Sequence, residues 1–276
     1  MTTNIKGELM NFSSPKVMGI LNITPDSFFS CSRKQTETEI TERVIQIIRE
    51  GADIIDVGGY SSRPNANFVN EKEEWERLKY GLKILFKEAP DAIVSIDTFR
   101  SKIARKSIEE FGVSIINDIS GGELDKDMFD TVTQLQVPYI IMHMRGTPQT
   151  MMEFTHYDNL MQDIILYFSK KVNILHQKGA KDIWIDPGFG FSKTLDQNYE
   201  LLKKMNQLSI FELPILVGFS RKNMIRKLLN IPVEEALTGT IALNMYSLTN
   251  GANIIRVHDV KEAVETVQLF NKINQS

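Results

Sequence analysis

The sequence predicts an α/β fold, a single-domain (β/α)8 or TIM barrel spanning residues 1–276, and three observations predict it. Short β-branched or aliphatic runs recur about eight times along the chain. Longer amphipathic stretches separate them, and polar residues come directly after the runs. The length of 276 residues suits one such barrel, for which about 250 is typical.

The runs are Val17–Leu21, Ile54–Val57, Ile93–Ile96, Ser114–Ile116, Tyr139–Met142, Ile183–Ile185, Ile215–Val217 and Ile254–Val257. Each is too short and too apolar for a surface helix, and each reads as a strand buried on both faces. Between them, Glu39–Glu50 sets Ile40, Val44, Ile47 and Ile48 on one stripe. Asp158–Lys178 and Lys261–Asn271 repeat that 3.6-residue spacing, with charges opposite. Gly51, Gly112 and Gly179 stand where left-handed helix caps belong. Strand–helix alternation repeated this often favours a closed parallel barrel over an open sheet.

Hydrophobic residues at 42% supply a full core. A net charge of −3, from 35 acidic and 32 basic side chains, offers no global attraction to nucleic acid or an anionic membrane. Any anion site is therefore local, and small molecules are the expected partners. The single cysteine, Cys31, excludes an intrachain disulfide and a cysteine-built zinc site. Residues 1–14 lack the order of a signal peptide, and no apolar run approaches the roughly 20 residues of a membrane span. A soluble, cytoplasmic protein is expected.

The chemistry lies in the residues that come after each run. These are Asn22, Asp97, Asn117, His143, Asp186 and Gly218 through Lys222, and the last run carries Arg256 and His258. In such barrels, reactive groups converge at the carboxyl ends of the strands. A lone Asp or Asn there also serves as a turn or cap, but caps do not call for Lys222, Arg256 and His258 on the same rim. Asp97, Asn117 and Asp186 suit a flat heterocycle bearing N–H donors. Lys222, Arg256, His258 and Arg63 form a cationic group. Residues 218–222 read as a strand entering a helix whose first turn presents N–H groups to an anion. The two groups together imply a heterocycle carrying a phosphate or diphosphate. No Walker or dinucleotide glycine pattern is present, so ATP or NAD binding has little support.

Several stretches resemble the signatures of dihydropteroate synthases, in family order from about Val17 to the C-terminal helix. They are Met18-Gly-Ile-Leu-Asn22-Ile-Thr-Pro-Asp-Ser-Phe28, Ile54-Ile-Asp-Val-Gly-Gly-Tyr-Ser-Ser-Arg-Pro64, Ser95-Ile-Asp97-Thr, Ile116-Asn117-Asp, Met142-His-Met, Asp186-Pro-Gly-Phe-Gly-Phe191, Ser220-Arg-Lys222 and Arg256-Val-His258-Asp. The resemblance implies a transferase of folate biosynthesis that joins p-aminobenzoate to a dihydropterin diphosphate. It assigns Asp97, Asn117, Met142, Asp186 and Lys222 to the pterin, and Ser62, Arg63, Pro64, Phe191 and Asn223 to p-aminobenzoate. Asn22, Arg63, Arg256 and His258 fall to the diphosphate, with Asn22 also touching Mg²⁺. Lys222, Arg256, His258 and Asn22 are the implied catalytic set. A homodimer is the family's usual assembly.

Three departures from the family pattern stand out. Phe29-Ser-Cys-Ser32 replaces an Asp-Gly-Gly loop continuation, Tyr60 and Ser62 replace a Glu and a Thr, and Asn223 replaces a Ser after the lysine. They leave open a noncatalytic, loop-drifted paralogue. A pterin-binding methyltransferase is a second rival, but it has no use for a diphosphate apparatus. Of the histidines other than His258, His143 reads as a packed histidine, while His156 and His176 read as surface positions. Met151, Met152 and Trp75 read as packing, and 71–77 as a solvated helix start. Asp56, a carboxylate inside a strand, reads as a structural acid near the diphosphate pocket, because burial is costly unless it is paired.

Overall fold

The computed structural model describes residues 1–23, 37–60 and 69–274. Its strands are β1 (Thr2–Ile5), β2 (Glu8–Asn11), β3 (Lys16–Asn22), β4 (Ile54–Gly58), β5 (Val94–Asp97), β6 (Ile115–Asp118), β7 (Tyr139–Met142), β8 (Ile183–Asp186), β9 (Leu216–Val217) and β10 (Ile254–Val257). β3 through β10 pair in parallel in the order β8-β7-β6-β5-β4-β3-β10-β9. A parallel bridge between Ile185 and Ile215 joins the two ends of the sheet and closes the barrel. The expected runs coincide with these strands to within a residue or two. Ser114–Ile116 is the largest difference, since its strand runs on to Asp118.

Helices α1 (Glu37–Arg49), α2 (Glu71–Glu88), α3 (Ser101–Phe111), α4 (Met128–Leu135), α5 (Leu160–Gln177), α6 (Leu195–Lys204), α7 (Asn223–Leu229), α8 (Leu237–Thr249) and α9 (Val260–Asn274) interleave with the strands. Their starts and stops reflect local chemistry. The Asn70 side chain accepts from the Glu73 N–H at 2.9 Å, and Thr194 and Gln197 close a reciprocal capping box on α6. Gly112 ends α3 at φ +69°, a left-handed conformation that glycine adopts without a Cβ penalty. Among the described residues no helix is long and apolar enough to cross a membrane.

Strand side chains alternate between two cores. Outward residues such as Val17, Leu21, Ile55, Val57 and Ile96 pack against Ile40, Val44, Ile47, Leu78 and Leu82 of the helices. Inward residues Met18, Ile54, Ile115, Ile140, Trp184, Leu216 and Ile254 fill the barrel itself. Two residues further along the same strands come Ile20, Asp56, Asn117, Met142, Asp186, Gly218 and Arg256. Period-two geometry therefore stacks a largely polar layer on an apolar floor, and the change of chemistry at the strand ends is this step from one layer to the next.

The β1–β2 hairpin lies outside the strand runs expected from sequence. It turns through Lys6 and Gly7, both at positive φ, as a two-residue hairpin requires. Thr3 and Ile5 face inward, and Thr3 Oγ1 accepts from Trp184 Nε1 at 2.8 Å. Phe12 meets the Trp184 ring edge-on at 5.4 Å, so the hairpin covers the amino-terminal end of the barrel.

Two readings of individual residues need correction. Residues 71–77 are not uniformly solvated, because Glu74 is fully buried and receives the Thr98 hydroxyl at 2.7 Å and the Arg100 guanidinium. Met152 is half exposed, whereas its neighbour Met151 packs, as does Trp75. His156 and His176 lie on the surface as expected.

Candidate functional site

The polar layer opens at the carboxyl ends of the strands. Asp56, in the middle of β4, is buried without exposure. Its Oδ2 accepts from Arg256 Nε at 2.6 Å and from Asn117 Nδ2 at 3.1 Å. That pairing meets the condition under which a strand-borne carboxylate is tolerated. Arg256 reaches onward through NH2 to Asp97 Oδ2 at 2.8 Å. Burial works against its charge, yet Asp56 and Asp97 together raise its pKa above the usual value. Asp97 is pushed up to about 7, by burial first and by neighbouring Asp56, Glu74 and Asp118, against the pull of Arg256.

Across the barrel, Asp186 ends β8 and accepts the Gly188 N–H at 2.8 Å. Burial raises its pKa, and the facing Lys222 limits the rise. Lys222 donates to the Phe189 carbonyl at 2.6 Å and lies 5.0 Å from the Phe191 ring centre. Burial lowers its pKa to about 8, Asp186 opposing and Arg256 adding to the effect. Gly188, at φ +73°, leaves no room for a Cβ against the His143 carbonyl, so the turn after β8 passes close over the end of β7.

Between these charges lies an apolar shelf of Ile119, Met142, Met144 and Met151, flanked by Phe99, Leu124 and Phe191. A flat ring resting there would find carboxylates and an amide on its edge and methionine sulfur on its face. Tyr60 stands at the shelf's border, edge-on to Phe99 at 5.3 Å, and its hydroxyl accepts from Gln149 at 2.8 Å.

Asn22 ends β3 beside Gly58, in register with it, and Gly58 is in turn in register with Asp97. A Cβ at Gly58 would come within 3.2 Å of Asn22 Oδ1 and 3.6 Å of Asp97 Cβ, so glycine lets these two side chains approach. His258 comes just after β10, its N–H donating to Ser220 Oγ at 3.1 Å and its carbonyl accepting from Arg43 at 2.6 Å.

The structure thus brings together Asp97, Asn117, Met142, Asp186, Lys222, Phe191 and Arg256, with Asn22 and His258 on the β3–β10 side. Asn223 stands exposed beside Lys222 as the first residue of α7, its Oδ1 accepting from Arg226 at 3.2 Å. Arg221, though inside a site motif, is turned away at φ +55° and forks onto Asp259 at 2.8 and 3.0 Å. Ser62, Arg63 and Pro64, together with the altered loop Phe29–Ser32 and its Cys31, lie outside the described residues.

Sequence reasoning missed the supporting residues. Lys193, 2% exposed, donates to the Gly188 and Phe191 carbonyls at 3.0 Å and contacts His143 Nδ1 at 3.1 Å. His143 is the packed histidine expected, its pKa held well below the usual value by burial and then by Lys193. Neither Lys193 nor Glu74 carries a spacing signal, because each acts through contacts distant in sequence. Among the described residues no group of three His, Cys, Asp or Glu side chains could hold a metal ion.

A closed parallel barrel whose mouth sets buried carboxylates and two cations around an apolar shelf is a site for a flat heterocycle with N–H donors that carries an anionic group. The pterin binding enzyme family accordingly matches residues 18–258. The dihydropteroate synthase of Escherichia coli (strain K12) is 38% identical over 266 residues, covering 96% of this chain and 93% of that protein. The Clostridium beijerinckii dihydropteroate synthase is 42% identical over 249 residues, 89% of each chain. Yersinia pestis dihydropteroate synthase, solved in a sulfonamide drug complex, superposes with a TM-score of 0.94 at 36% identity, each chain covered in full. The chain belongs to the dihydropteroate synthases.

Proposed function

We propose that this chain condenses 6-hydroxymethyl-7,8-dihydropterin diphosphate with p-aminobenzoate, giving 7,8-dihydropteroate and diphosphate. The observation that carries the reading is the divided mouth. Asp97, Asn117 and Asp186 line one region; Arg256 touches it through Asp97, and the positive charge of Lys222 acts on Asp186. The carboxylates and amide receive the pterin's N–H groups, and Met142 packs on its face. Arg256, His258, Asn22 and Arg63 meet the diphosphate.

The bond from the pterin methylene carbon to the diphosphate oxygen breaks as negative charge builds on the leaving group. Arg256 and Lys222 stabilise that charge in a site where burial strengthens each interaction. The electron-rich pterin carries the developing positive charge, and the neutral arylamine forms the new C–N bond. The amine proton is lost to solvent, so no strong general base is needed. Phe191 and Asn223 contribute to the p-aminobenzoate side, to which the family resemblance also assigns Ser62, Arg63 and Pro64.

The donor set fits Mg²⁺: the half-buried amide oxygen of Asn22 is a hard ligand, and this ion takes most of its shell from phosphate oxygens and water. When bound, it would neutralise charge on the diphosphate. The same reading takes the protein as cytoplasmic and homodimeric, a single pterin-binding barrel. Leu228 and Leu229 on α7 and Tyr246 on α8 are 58%, 52% and 44% exposed, apolar side chains that a second copy would cover.

The experiment is diphosphate release by purified protein with Mg²⁺ and the pterin diphosphate, with and without p-aminobenzoate. Amine-dependent release with dihydropteroate formed supports the reading. Tight pterin diphosphate binding without turnover overturns it in favour of a drifted paralogue.

A further inference from the structure

Arg256 stands between two carboxylates that differ in kind. Asp56 lies in the middle of β4, with no exposure, and grips Nε, the nitrogen nearest the side-chain stem. Its Oδ2 also takes the Asn117 amide, so its orientation is fixed from two strands. Asp97 lies at the very end of β5, is 17% exposed, and touches the tip nitrogen NH2. Turning about an anchored Nε would swing the guanidinium tip and leave its root in place.

We infer that Asp56 is a positioning residue that pivots Arg256, and that Asp97 is the guanidinium's exchangeable partner, released when a pterin's N–H groups claim the same carboxylate. This rests on the proposed assignment of Asp97 to the pterin and Arg256 to the diphosphate. Before the pterin arrives, two carboxylates neutralise one guanidinium. Once Asp97 turns its charge to the ring, Asp56 alone balances the guanidinium at Nε, and the tip nitrogen NH2 is left with an N–H to offer into the mouth, where the diphosphate would lie. The two half-sites are thereby coupled. Linkage requires the coupling to be reciprocal, so diphosphate also tightens pterin binding by the same factor.

Titration calorimetry on the full chain, with MgCl₂ present throughout, tests this with two separate probes: inorganic diphosphate and a hydroxymethylpterin lacking the tail. In the wild type, saturating pterin should tighten diphosphate binding at least about fivefold, the lower end of usual coupling factors. Asp97→Asn should bind diphosphate about that much more tightly than wild type without pterin, and gain little when pterin is added. Asp186→Asn removes the same charge from an acid that faces Lys222 and makes no hydrogen bond to Arg256, and should gain less pterin-free diphosphate affinity than Asp97→Asn does. Asp56→Asn should weaken diphosphate binding with and without pterin, and Asp56→Glu should restore part of it.

Both probes binding to the wild type without coupling would overturn the inference, whatever the variants do. Equal gains in Asp97→Asn and Asp186→Asn would overturn it too, leaving general electrostatics as the cause. Failure of the wild type to bind either probe would instead strike the proposed function.

Discussion

The ammonium group of Lys193 lies 3.0 Å from the carbonyl of Phe191, beneath the turn that this phenylalanine ends. A second bond to Gly188 and a third contact to His143 tie the turn after β8 to the end of β7. Burial lowers the lysine's pKa to about 7, with Asp186 resisting the fall. Lys193→Met should strand two carbonyls without their donor, costing about 2–6 kcal/mol at the usual 1–3 for each buried group left unsatisfied. The KM for p-aminobenzoate should rise more than that for the pterin diphosphate, because Phe191 moves with the turn. Urea unfolding and steady-state kinetics would check both, and wild-type values in both would refute the positioning role.

Asp97 and Lys222 together predict a narrow pH optimum. Asp97, pushed up to about 7, must be ionised to accept N–H donors from a pterin. Lys222, lowered to about 8, must be protonated to stabilise departing diphosphate. The log of kcat/KM should therefore fall below about 7 and again above about 8, reporting the free enzyme's groups. Asp97→Asn should remove the acid limb at the cost of pterin affinity, and Lys222→Arg should move the alkaline limb upward. A flat profile from pH 6 to 9 would contradict both assignments. The charged groups facing Asp97 are Arg256, Asp56, Glu74 and Asp118, so its limb should shift down if any of those acids is neutralised.

Strand positions were legible because burial on both faces leaves an apolar run, and the run stops where side chains enter the mouth. Asp97, Asn117 and Asp186 were readable for that reason. The contacts of Asp56 were not, because its two partners are 61 and 200 residues away. The orientation of Arg221 was not legible either: it lies in a site motif, and only the backbone at φ +55° turns it toward Asp259. The β1–β2 hairpin went unread because its single inward pair, Thr3 and Ile5, is too short for a periodic signal.

Lys222→Ala should lower turnover by orders of magnitude and leave the fold intact, since the side chain's hydrogen bond goes to the Phe189 carbonyl at the rim. Asp186→Ala should act differently, removing pterin affinity by at least about a hundredfold, the effect expected for losing charge-assisted hydrogen bonds worth about 1.5–3 kcal/mol each. Pterin titrations and single-turnover rates separate the two. Unchanged kinetics in the first variant or wild-type affinity in the second would refute the respective roles.

Glu74 and Arg100 form a buried ion pair beside the mouth, with side chains 0% and 11% exposed. Arg100 also donates to the Val69 carbonyl at 2.6 Å and lies 5.6 Å from the Tyr60 ring centre. Those two residues flank 61–68, which in sequence carries Ser62, Arg63 and Pro64. Burial raises the pKa of Glu74, while Thr98 and Arg100 hold it down. Because the folded value is raised, the group's linked stability is full below its unfolded value near 4.5 and is lost as pH rises through the folded value. Glu74→Gln should leave Arg100 without its counter-charge and destabilise the fold by about 3 kcal/mol, as breaking one side of a buried pair does. The double change Glu74→Leu with Arg100→Met should recover most of that loss, because apolar replacements of buried pairs are often neutral. It should nonetheless raise the KM for p-aminobenzoate, since Val69 and Tyr60 lose the guanidinium. Stability restored together with wild-type KM would limit the pair to a packing role.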